Sequence, residues 1–218
     1  NLQVTVNQPA GPLVEGTQIV LTGAFVDPGA GESHTYQWQV ISSNGQIIPN
    51  QGGAVLVAGQ VPSFSFTPAD DGIYTVRLTV GDGAQTTTRL APLAVGNVLP
   101  QNLNLSAGAG NVPIGVPIIV SGNFTDPGND SWQATLVVRD GGTQQSILRL
   151  PLPLSGQAFA TSFVFGQQQS LDLVLEVYDG TGLATSQVVQ VFVGSTLIGD
   201  YDRDTDVDQN DHGFWAGH

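Results

Sequence analysis

The chain of 218 residues contains no cysteine and no lysine, and its basic residues are five arginines. Without cysteine there is neither a disulfide framework nor a thiolate metal site. Eighteen acidic residues give a formal net charge of −13. Because an acidic surface repels phosphate backbones and anionic lipids, this charge weighs against nucleic-acid and membrane-surface binding. A cation is the expected partner.

The sequence also lacks apolar runs of about 20 residues, so no segment is expected to insert into a membrane. Windows with apolar residues at helical spacing are almost absent. Instead, 28 glycines and 13 prolines accompany many Val, Thr, Ser and Gln residues, a composition typical of short strands and frequent turns. The chain starts at Asn1 without methionine or a signal peptide, which favours a piece of a longer polypeptide.

Two blocks of the sequence recur in the same order. Residues 16–29 read GTQIVLTGAFVDPG and residues 115–128 read GVPIIVSGNFTDPG; YTVRLTVGDG at 74–83 is matched by LDLVLEVYDG at 171–180. The offset between copies is nearly constant, which indicates a duplication. We therefore predict one domain at 1–96, a second at 97–194, and a separate short segment at 195–218.

Within each copy the apolar residues alternate with polar ones, as in Tyr36, Trp38 and Val40. Period-2 alternation between Pro, Gly, Asn and Asp turns predicts antiparallel strands, about seven in each copy. In the first copy they are expected near 2–8, 17–25, 34–41, 53–58, 61–67, 73–80 and 85–95. The predicted fold class is all-β, with two tandem immunoglobulin-like β-sandwiches and a short C-terminal calcium-loop and helix segment.

Several features resemble PKD-type domains, a family of immunoglobulin-like modules. They are the F-x-DPG block, the aromatic strand that follows it, the V-x-DG turn, and the run Asp70 to Tyr74, which is similar to a tyrosine corner. The resemblance places Trp38 at the buried tryptophan position of such folds. The second copy has Leu136 and Leu171 in place of Trp38 and Tyr74, so it is the more diverged copy.

The C-terminal segment contains aspartate at alternating positions within GDYDRDTDVDQNDHGFW, residues 199–215. Numbered from the first aspartate, they occupy positions 1, 3, 5, 7, 9 and 12 of a twelve-residue Ca²⁺ loop: Asp200, Asp202, Asp204, Asp206, Asp208 and Asp211. The segment resembles half of a type I dockerin, whose second repeat is missing here. Thr205 stands where the loop turns sharply and glycine is usual. The alternative is a disordered acidic tail.

The sandwiches offer further carboxylates. In PKD-like domains, acidic residues after the F-x-D turn and near the V-x-DG turn can share a calcium ion. The residues that this resemblance implies are Asp27, Glu32 and Asp82 in the first copy and Asp126, Asp130 and Asp179 in the second. The alternative, which we favour from sequence, is that Asp-Pro-Gly and Asp-Gly simply form turns. Between one and three calcium ions are expected in the whole chain.

No motif predicts catalysis. The three histidines lie at 34, 212 and 218, outside any metalloprotease spacing, and no nucleophile elbow occurs. His34 opens a strand and is expected to face solvent. Carbohydrate binding would need exposed aromatic faces, for which Trp132 and Tyr36 are the candidates.

The leading hypothesis is a non-catalytic, calcium-stabilised structural and adhesion module of a large secreted bacterial protein that is attached to the cell surface. Its partners would be calcium, other extracellular domains, or further copies of itself. The alternative is a self-assembling subunit of a filament, tube or surface layer. Such growth would use strand addition at sheet edges, with LQVTVNQ at residues 2–8 as the donated strand. A third possibility is dockerin-like docking or carbohydrate binding.

Overall fold

The computed structural model describes residues 2–29, 32–55 and 59–194. Throughout these ranges the regular elements are β-strands, which confirms the predicted all-β fold class. No helix in the described ranges is long and apolar enough to cross a membrane. The chain divides into two compact units. The first comprises Asn1–Val98 with Pro127–Asp130, and the second comprises Leu99–Asp126 with the residues from Ser131 onward.

The first unit contains eight strands in two sheets. One sheet has the order β1-β3-β6 and the other the order β2-β8-β7-β4-β5. Their bounds are β1 (Gln3–Asn7), β2 (Leu13–Val14), β3 (Ile19–Val26), β4 (Thr35–Ser42), β5 (Gln51–Ala54), β6 (Gln60–Phe66), β7 (Gly72–Gly81) and β8 (Thr86–Gly96). The additional strand is β2, which pairs with the end of β8 in parallel. Part of the strand predicted at 53–58 lies outside the described residues.

The second unit repeats this arrangement with ten strands. The sheets have the orders β14-β15-β11-β9 and β10-β18-β16-β12-β13, and β17 also pairs with β16. The bounds are β9 (Gln101–Ala107), β10 (Asn111–Pro113), β11 (Ile118–Thr125), β12 (Gln133–Asp140), β13 (Ser146–Leu152), β14 (Leu154–Ser155), β15 (Ala158–Phe163), β16 (Gln169–Tyr178), β17 (Leu183–Thr185) and β18 (Val189–Gly194). The last strand of the first unit is continuous, whereas its counterpart here is split into β17 and β18.

The core of the first unit is built around two aromatic side chains that the sequence singles out. Trp38 and Tyr74 are both fully buried. The Tyr74 hydroxyl donates to the main-chain oxygen of Asp70 at 2.8 Å, four residues upstream, and the Asn44 side-chain amide donates to the same hydroxyl at 2.7 Å. These contacts tie the start of β7 to the turn before it and form the predicted tyrosine corner.

The second unit has aliphatic side chains at the equivalent places. Trp38 lies opposite Leu78 across β4 and β7, and Leu136 lies opposite Leu175 across β12 and β16. Leu136 and Leu171 are fully buried. The two cores therefore share one register of inward-facing residues, although the second has lost both aromatic anchors. Burial of apolar area stabilises both units.

The sheet edges bear directly on growth by strand addition. Edge strand β6 contains Pro62, and its pairing with β3 shifts register between Leu21 and Gly23. Edge strand β13 contains Pro151, and its pairing with β12 also shifts register. Proline has no N–H to donate and register shifts twist an edge away, so both features hinder pairing with another chain. The proposed donor strand, β1, is itself paired with β3.

Candidate metal-binding site

The turn after β3 brings two predicted carboxylates and a histidine together. Asp27 Oδ1 accepts a hydrogen bond from the Gly29 main-chain N–H at 3.0 Å, and Asp27 Oδ2 lies 2.8 Å from His34 Nε2. The potential ligand atoms of Asp27, Glu32 and His34 all lie within 4.8 Å of one another. This group contains Asp27 and Glu32 as predicted, with His34 as its third member.

The expectation that His34 faces solvent is wrong. Its side chain is only 11% exposed, and its ring lies 4.6 Å from the ring of Phe25. His34 comes immediately before β4, so the strand pattern does not define which way its side chain points. Its contacts are with Phe25 and Asp27, seven and more residues earlier, and local sequence does not predict them.

Asp82 is placed differently from Asp27 and Glu32. Its Oδ1 accepts hydrogen bonds from the main-chain N–H groups of Ala84 at 2.8 Å and Gln85 at 2.6 Å. Asp82 therefore closes the turn between β7 and β8, which is the turn-forming role favoured from sequence. It is not a member of the group formed by Asp27, Glu32 and His34.

The hydrogen bonds to Asp27 make the first unit sensitive to acid. The Gly29 N–H and then the His34 side chain lower the pKa of Asp27 below its ordinary value of 3.8. The unfolded chain therefore takes up the proton at higher pH than the folded chain. The contribution of ionised Asp27 to the free energy of unfolding is fully present above the pKa that Asp27 has in the unfolded chain. It is lost as the pH falls through the lower pKa that Asp27 has in the folded chain.

We expect acidification from pH 5 to about pH 3 to lower the free energy of unfolding less in the Asp27→Asn variant than in wild type. Urea unfolding at the two pH values measures this difference. Asparagine keeps an acceptor for Gly29 but has no charge to neutralise. An equal loss in the two proteins would contradict the assignment.

A second group of acidic side chains lies in the first unit and includes a buried glutamate. Glu15 follows β2 and is only 1% exposed. Its Oε1 accepts a hydrogen bond from the Val98 main-chain N–H at 2.8 Å. Carboxylate oxygens of Glu15, Asp70 and Asp130 lie within 4.8 Å of one another. Three carboxylates at this spacing repel one another, so a bound cation or protonation would stabilise the group.

The main chain holds these three residues in place. The main-chain N–H of Glu15 donates to the main-chain oxygen of Gly96 at 3.1 Å. The N–H of Asn129, which precedes Asp130, donates to the main-chain oxygen of Ala69, which precedes Asp70, at 2.8 Å. Asp70 is part of the tyrosine corner. At Gly128 an added Cβ would contact Asp130 Oδ2 and lie 2.7 Å from Glu15 Cδ. A side chain at this position would therefore displace the carboxylates of Asp130 and Glu15.

The two groups differ in the metal that they suit. Glu15, Asp70 and Asp130 offer only carboxylate oxygens, the donors that Ca²⁺ and Mg²⁺ prefer. The group around His34 includes an imidazole, which suits zinc and other transition metals better than calcium. The oxygen-only group is therefore the better candidate for calcium.

The carboxylates predicted for the second copy occupy separate local environments. Asp126 and Asp179 are buried, at 8% and 3% exposed. Asp179 Oδ1 accepts hydrogen bonds from the N–H groups of Thr181 at 2.8 Å and Gly182 at 2.7 Å, so Asp179 closes a turn as Asp82 does. Asp130 belongs to the group with Glu15 and Asp70. Calcium binding by any of these residues stays a prediction.

Sequence reasoning missed Glu15 and placed Asp70 only in the tyrosine corner. One signal was available in the repeat. Glu15 precedes Gly16 where Ile114 precedes Gly115, and the N–H groups of these glycines donate to Pro68 O and Phe165 O respectively. Asp70 lies two residues after Pro68 and Gln167 lies two residues after Phe165, so Gln167 is the counterpart of Asp70. The acidic pair is thus specific to the first copy.

Asp200, Asp202, Asp204, Asp206, Asp208 and Asp211 lie outside the described residues, and the calcium loop there stays a prediction. The aromatic candidates for sugar binding are both partly buried and pack against the cores. Trp132 lies edge-on to Phe124, with ring centroids 5.7 Å apart.

Each unit has a shallow groove on its surface. The groove of about 420 Å³ in the first unit lies between residues 46–51 and 64–67. The groove of about 440 Å³ in the second lies beside Ile147 and Phe165. Neither is lined by a carboxylate or a histidine, so neither offers an acid or base for catalysis.

Residues 1–95 match the family model of the PKD domain, which confirms the resemblance for the first copy. A search of curated proteins finds no match. Among solved structures, the chain is similar to the chicken interferon gamma receptor alpha chain at 14% identity and a TM-score of 0.41, covering 87% of this chain and 99% of that one.

It is also similar to the fibronectin(III)-like modules of Clostridium thermocellum CbhA at 12% identity and a TM-score of 0.31, covering 88% of this chain and 93% of that one.

Proposed function

We propose that this chain, whose first sandwich matches the PKD family, is a non-catalytic, calcium-stabilised structural module of an extracellular protein. The observation that carries the proposal is the group formed by Glu15, Asp70 and Asp130. A glutamate that is 1% exposed stands beside two further carboxylates. Carboxylates this close repel one another when all are ionised, and a divalent cation between them would remove that repulsion.

Calcium fits this group better than other cations. It takes six to eight oxygen ligands in flexible geometry, and extracellular modules bind it at about 10⁻⁴ to 10⁻³ M. Three side chains supply part of such a shell, and main-chain oxygens and water can complete it. The second copy has Ile114 and Gln167 at the places of Glu15 and Asp70, so the site is an addition to the fold rather than a requirement of it.

The non-catalytic role is supported by where the titratable groups lie. Asp27, Asp82 and Asp179 close turns by accepting main-chain N–H groups. The two grooves described above carry no acid or base. A sandwich with an acidic surface, whose described carboxylates close turns, suits spacing and adhesion within a larger protein.

Self-assembly by strand addition stays the alternative. Pro62, Pro151 and the register shifts hinder edge pairing, and β1 already belongs to a sheet. We propose a chain that stays monomeric in solution. Size-exclusion chromatography with and without calcium would reveal filament or ring formation if strand addition occurs.

The calcium loop of residues 200–211 is a second proposed ion site, independent of the first. Its aspartates fit the ligand spacing of a twelve-residue loop.

A calcium titration of the full chain by isothermal calorimetry tests the proposed function. Three double variants assign the ions: Glu15→Gln with Asp70→Asn, Asp27→Asn with Glu32→Gln, and Asp200→Ala with Asp204→Ala. Glutamine keeps the acceptor for the Val98 N–H, so the first double variant removes charge with little change of shape. We expect it to lose one binding event that the second double variant keeps. An unchanged titration would contradict the proposed site.

A further inference from the structure

The connection between β3 and β4 holds a mixed group of potential metal ligands, separate from the carboxylates around Glu15. Asp27 follows the last residue of β3, His34 precedes the first residue of β4, and Glu32 lies between them in sequence. The strands β3 and β4 belong to different sheets of the first sandwich. An ion bound by these three side chains would therefore link the two sheets at the point where the chain crosses between them.

The separations between the ligand atoms suit a small ion. Asp27 Oδ2 lies 2.8 Å from His34 Nε2, and the ligand atoms of all three residues lie within 4.8 Å of one another. In a tetrahedral zinc site with bonds near 2.1 Å, the ligand atoms are about 3.4 Å apart. This value lies between the two separations, so small side-chain movements would complete the site. Glu32 is exposed, and its side chain can make the largest of them.

The other two ligands are already held in place by their neighbours. The side chains of Asp27 and His34 are each only 11% exposed. The Gly29 main-chain N–H donates to Asp27 Oδ1 at 3.0 Å, while Oδ2 of the same carboxylate faces His34. The ring of Phe25 lies 4.6 Å from the imidazole. Contacts of this kind orient metal ligands and raise the affinity of a site.

The second copy shows that the fold does not require a histidine here. His34 and Trp132 stand two residues before Tyr36 and Ala134, at the start of the corresponding strands β4 and β12. Trp132 packs edge-on against Phe124, as His34 packs against the corresponding Phe25. Packing at this position therefore needs only an aromatic ring. An imidazole nitrogen beside two carboxylates is specific to the first copy.

We propose that Asp27, Glu32 and His34 bind Zn²⁺, with water in the fourth position. Three protein ligands and one water are a usual shell for this ion. The imidazole nitrogen favours zinc over calcium, which prefers oxygen ligands. The ion takes the place of the hydrogen between Asp27 Oδ2 and His34 Nε2, and the imidazole keeps its proton on Nδ1. The site shares no residue with the group formed by Glu15, Asp70 and Asp130, so it is independent of the proposed calcium site.

The small number of histidines makes this proposal sharply testable. The chain has three, so a full-length background with His212→Asn and His218→Asn keeps His34 as its one imidazole. Isothermal calorimetry would titrate this background with zinc chloride in millimolar calcium, which competes for groups that contain only carboxylates. We expect Zn²⁺ to bind. Glu32→Gln, and His34→Phe, which keeps a ring against Phe25, should each weaken binding at least about tenfold, because losing even an outer-shell partner costs about 10- to 100-fold in metal affinity.

Nuclear magnetic resonance of the ¹⁵N-labelled background detects ligation at the imidazole itself. Zinc should shift the Nε2 resonance of His34, and the same concentration of calcium should leave it in place. The double variant Glu15→Gln with Asp70→Asn is the matched control and should bind zinc as tightly as the background. It also separates this proposal from the calcium site, because a failure of either one leaves the other measurement unchanged.

Three results would each overturn the zinc site. They are no binding of zinc to the background, an unchanged affinity in either the His34→Phe or the Glu32→Gln variant, and an Nε2 resonance that zinc does not move. If circular dichroism shows that His34→Phe disturbs folding, Glu32→Gln and the imidazole resonance decide the question, since Glu32 is exposed.

Discussion

Replacing Trp38 with alanine is expected to lower the free energy of unfolding of the first unit by about 3–5 kcal/mol. The indole is fully buried and lies parallel to Phe64, with ring centroids 5.9 Å apart. Its Nε1 donates to the Pro62 main-chain oxygen at 2.9 Å. Alanine would leave a cavity and an unmatched buried acceptor, each of which is destabilising. Such a loss is a large part of the 5–15 kcal/mol that stabilises a typical domain.

Differential scanning calorimetry of the full chain measures this effect. The transition of the first unit should move to lower temperature, whereas that of the second unit, which has Leu136 at the equivalent place, should stay. Ile47→Ala is the matched control, since Ile47 is 92% exposed and exposed substitutions usually change stability by less than about 0.5 kcal/mol. A loss below about 1 kcal/mol in the Trp38 variant would contradict the packing described for β4 and β6.

The second large effect is expected from Gly122→Ala in β11. A Cβ at this position would contact the main-chain oxygen of Asn104 and lie 2.7 Å from Phe159 Cζ. Gly122 is opposite Leu105 on β9 and Phe159 on β15, so neither neighbour can move without disturbing strand pairing. Overpacking of this kind costs about 1–3 kcal/mol and occasionally more.

Chemical denaturation of the full chain by urea would compare Gly122→Ala with Gly166→Ala. At Gly166 an added Cβ meets no atom within 4 Å, so alanine there should be neutral or slightly stabilising. Equal stabilities for the two variants would mean that the close approach of β9 and β15 to Gly122 is not a constraint.

The fold could be predicted because its information is local. Alternation of apolar residues defines the inward faces of the long strands, and Pro, Gly, Asn and Asp mark the turns between them. The recurrence of Gly23 at Gly122 was visible as well. The reason for this glycine was not visible in the sequence, because it lies in the close approach of residues that are distant along the chain. An added Cβ would meet Trp38 and Leu78 in the first copy and Asn104 and Phe159 in the second. The short parallel strands β2 and β10 were missed because two or three residues carry no periodicity.

The candidate site was only partly predictable. Asp27 and Glu32 lie close along the chain, so their proximity follows from a single turn. Glu15 and Asp70 are 55 positions apart in sequence and meet because β2 pairs with the end of β8, while the tyrosine corner fixes the turn before β7. His34 was assigned to solvent because a residue at a strand boundary has no alternation to orient it. Contacts made through tertiary structure were beyond sequence reasoning.

The central claim, that calcium stabilises the first sandwich through Glu15 and Asp70, is tested most directly by calorimetric melting of the full chain in EDTA and in millimolar calcium. At a Kd of about 10⁻⁴ M, millimolar calcium is present at about ten times its Kd and adds about 1.4 kcal/mol, which raises the Tm of a 100-residue unit by several degrees. We predict such a rise in wild type and in Asp200→Ala with Asp204→Ala, and its loss in Glu15→Gln with Asp70→Asn. The account would be contradicted if calcium left the Tm of the first unit unchanged in wild type. It would also be contradicted if calcium raised that Tm equally in the variant with Glu15→Gln and Asp70→Asn.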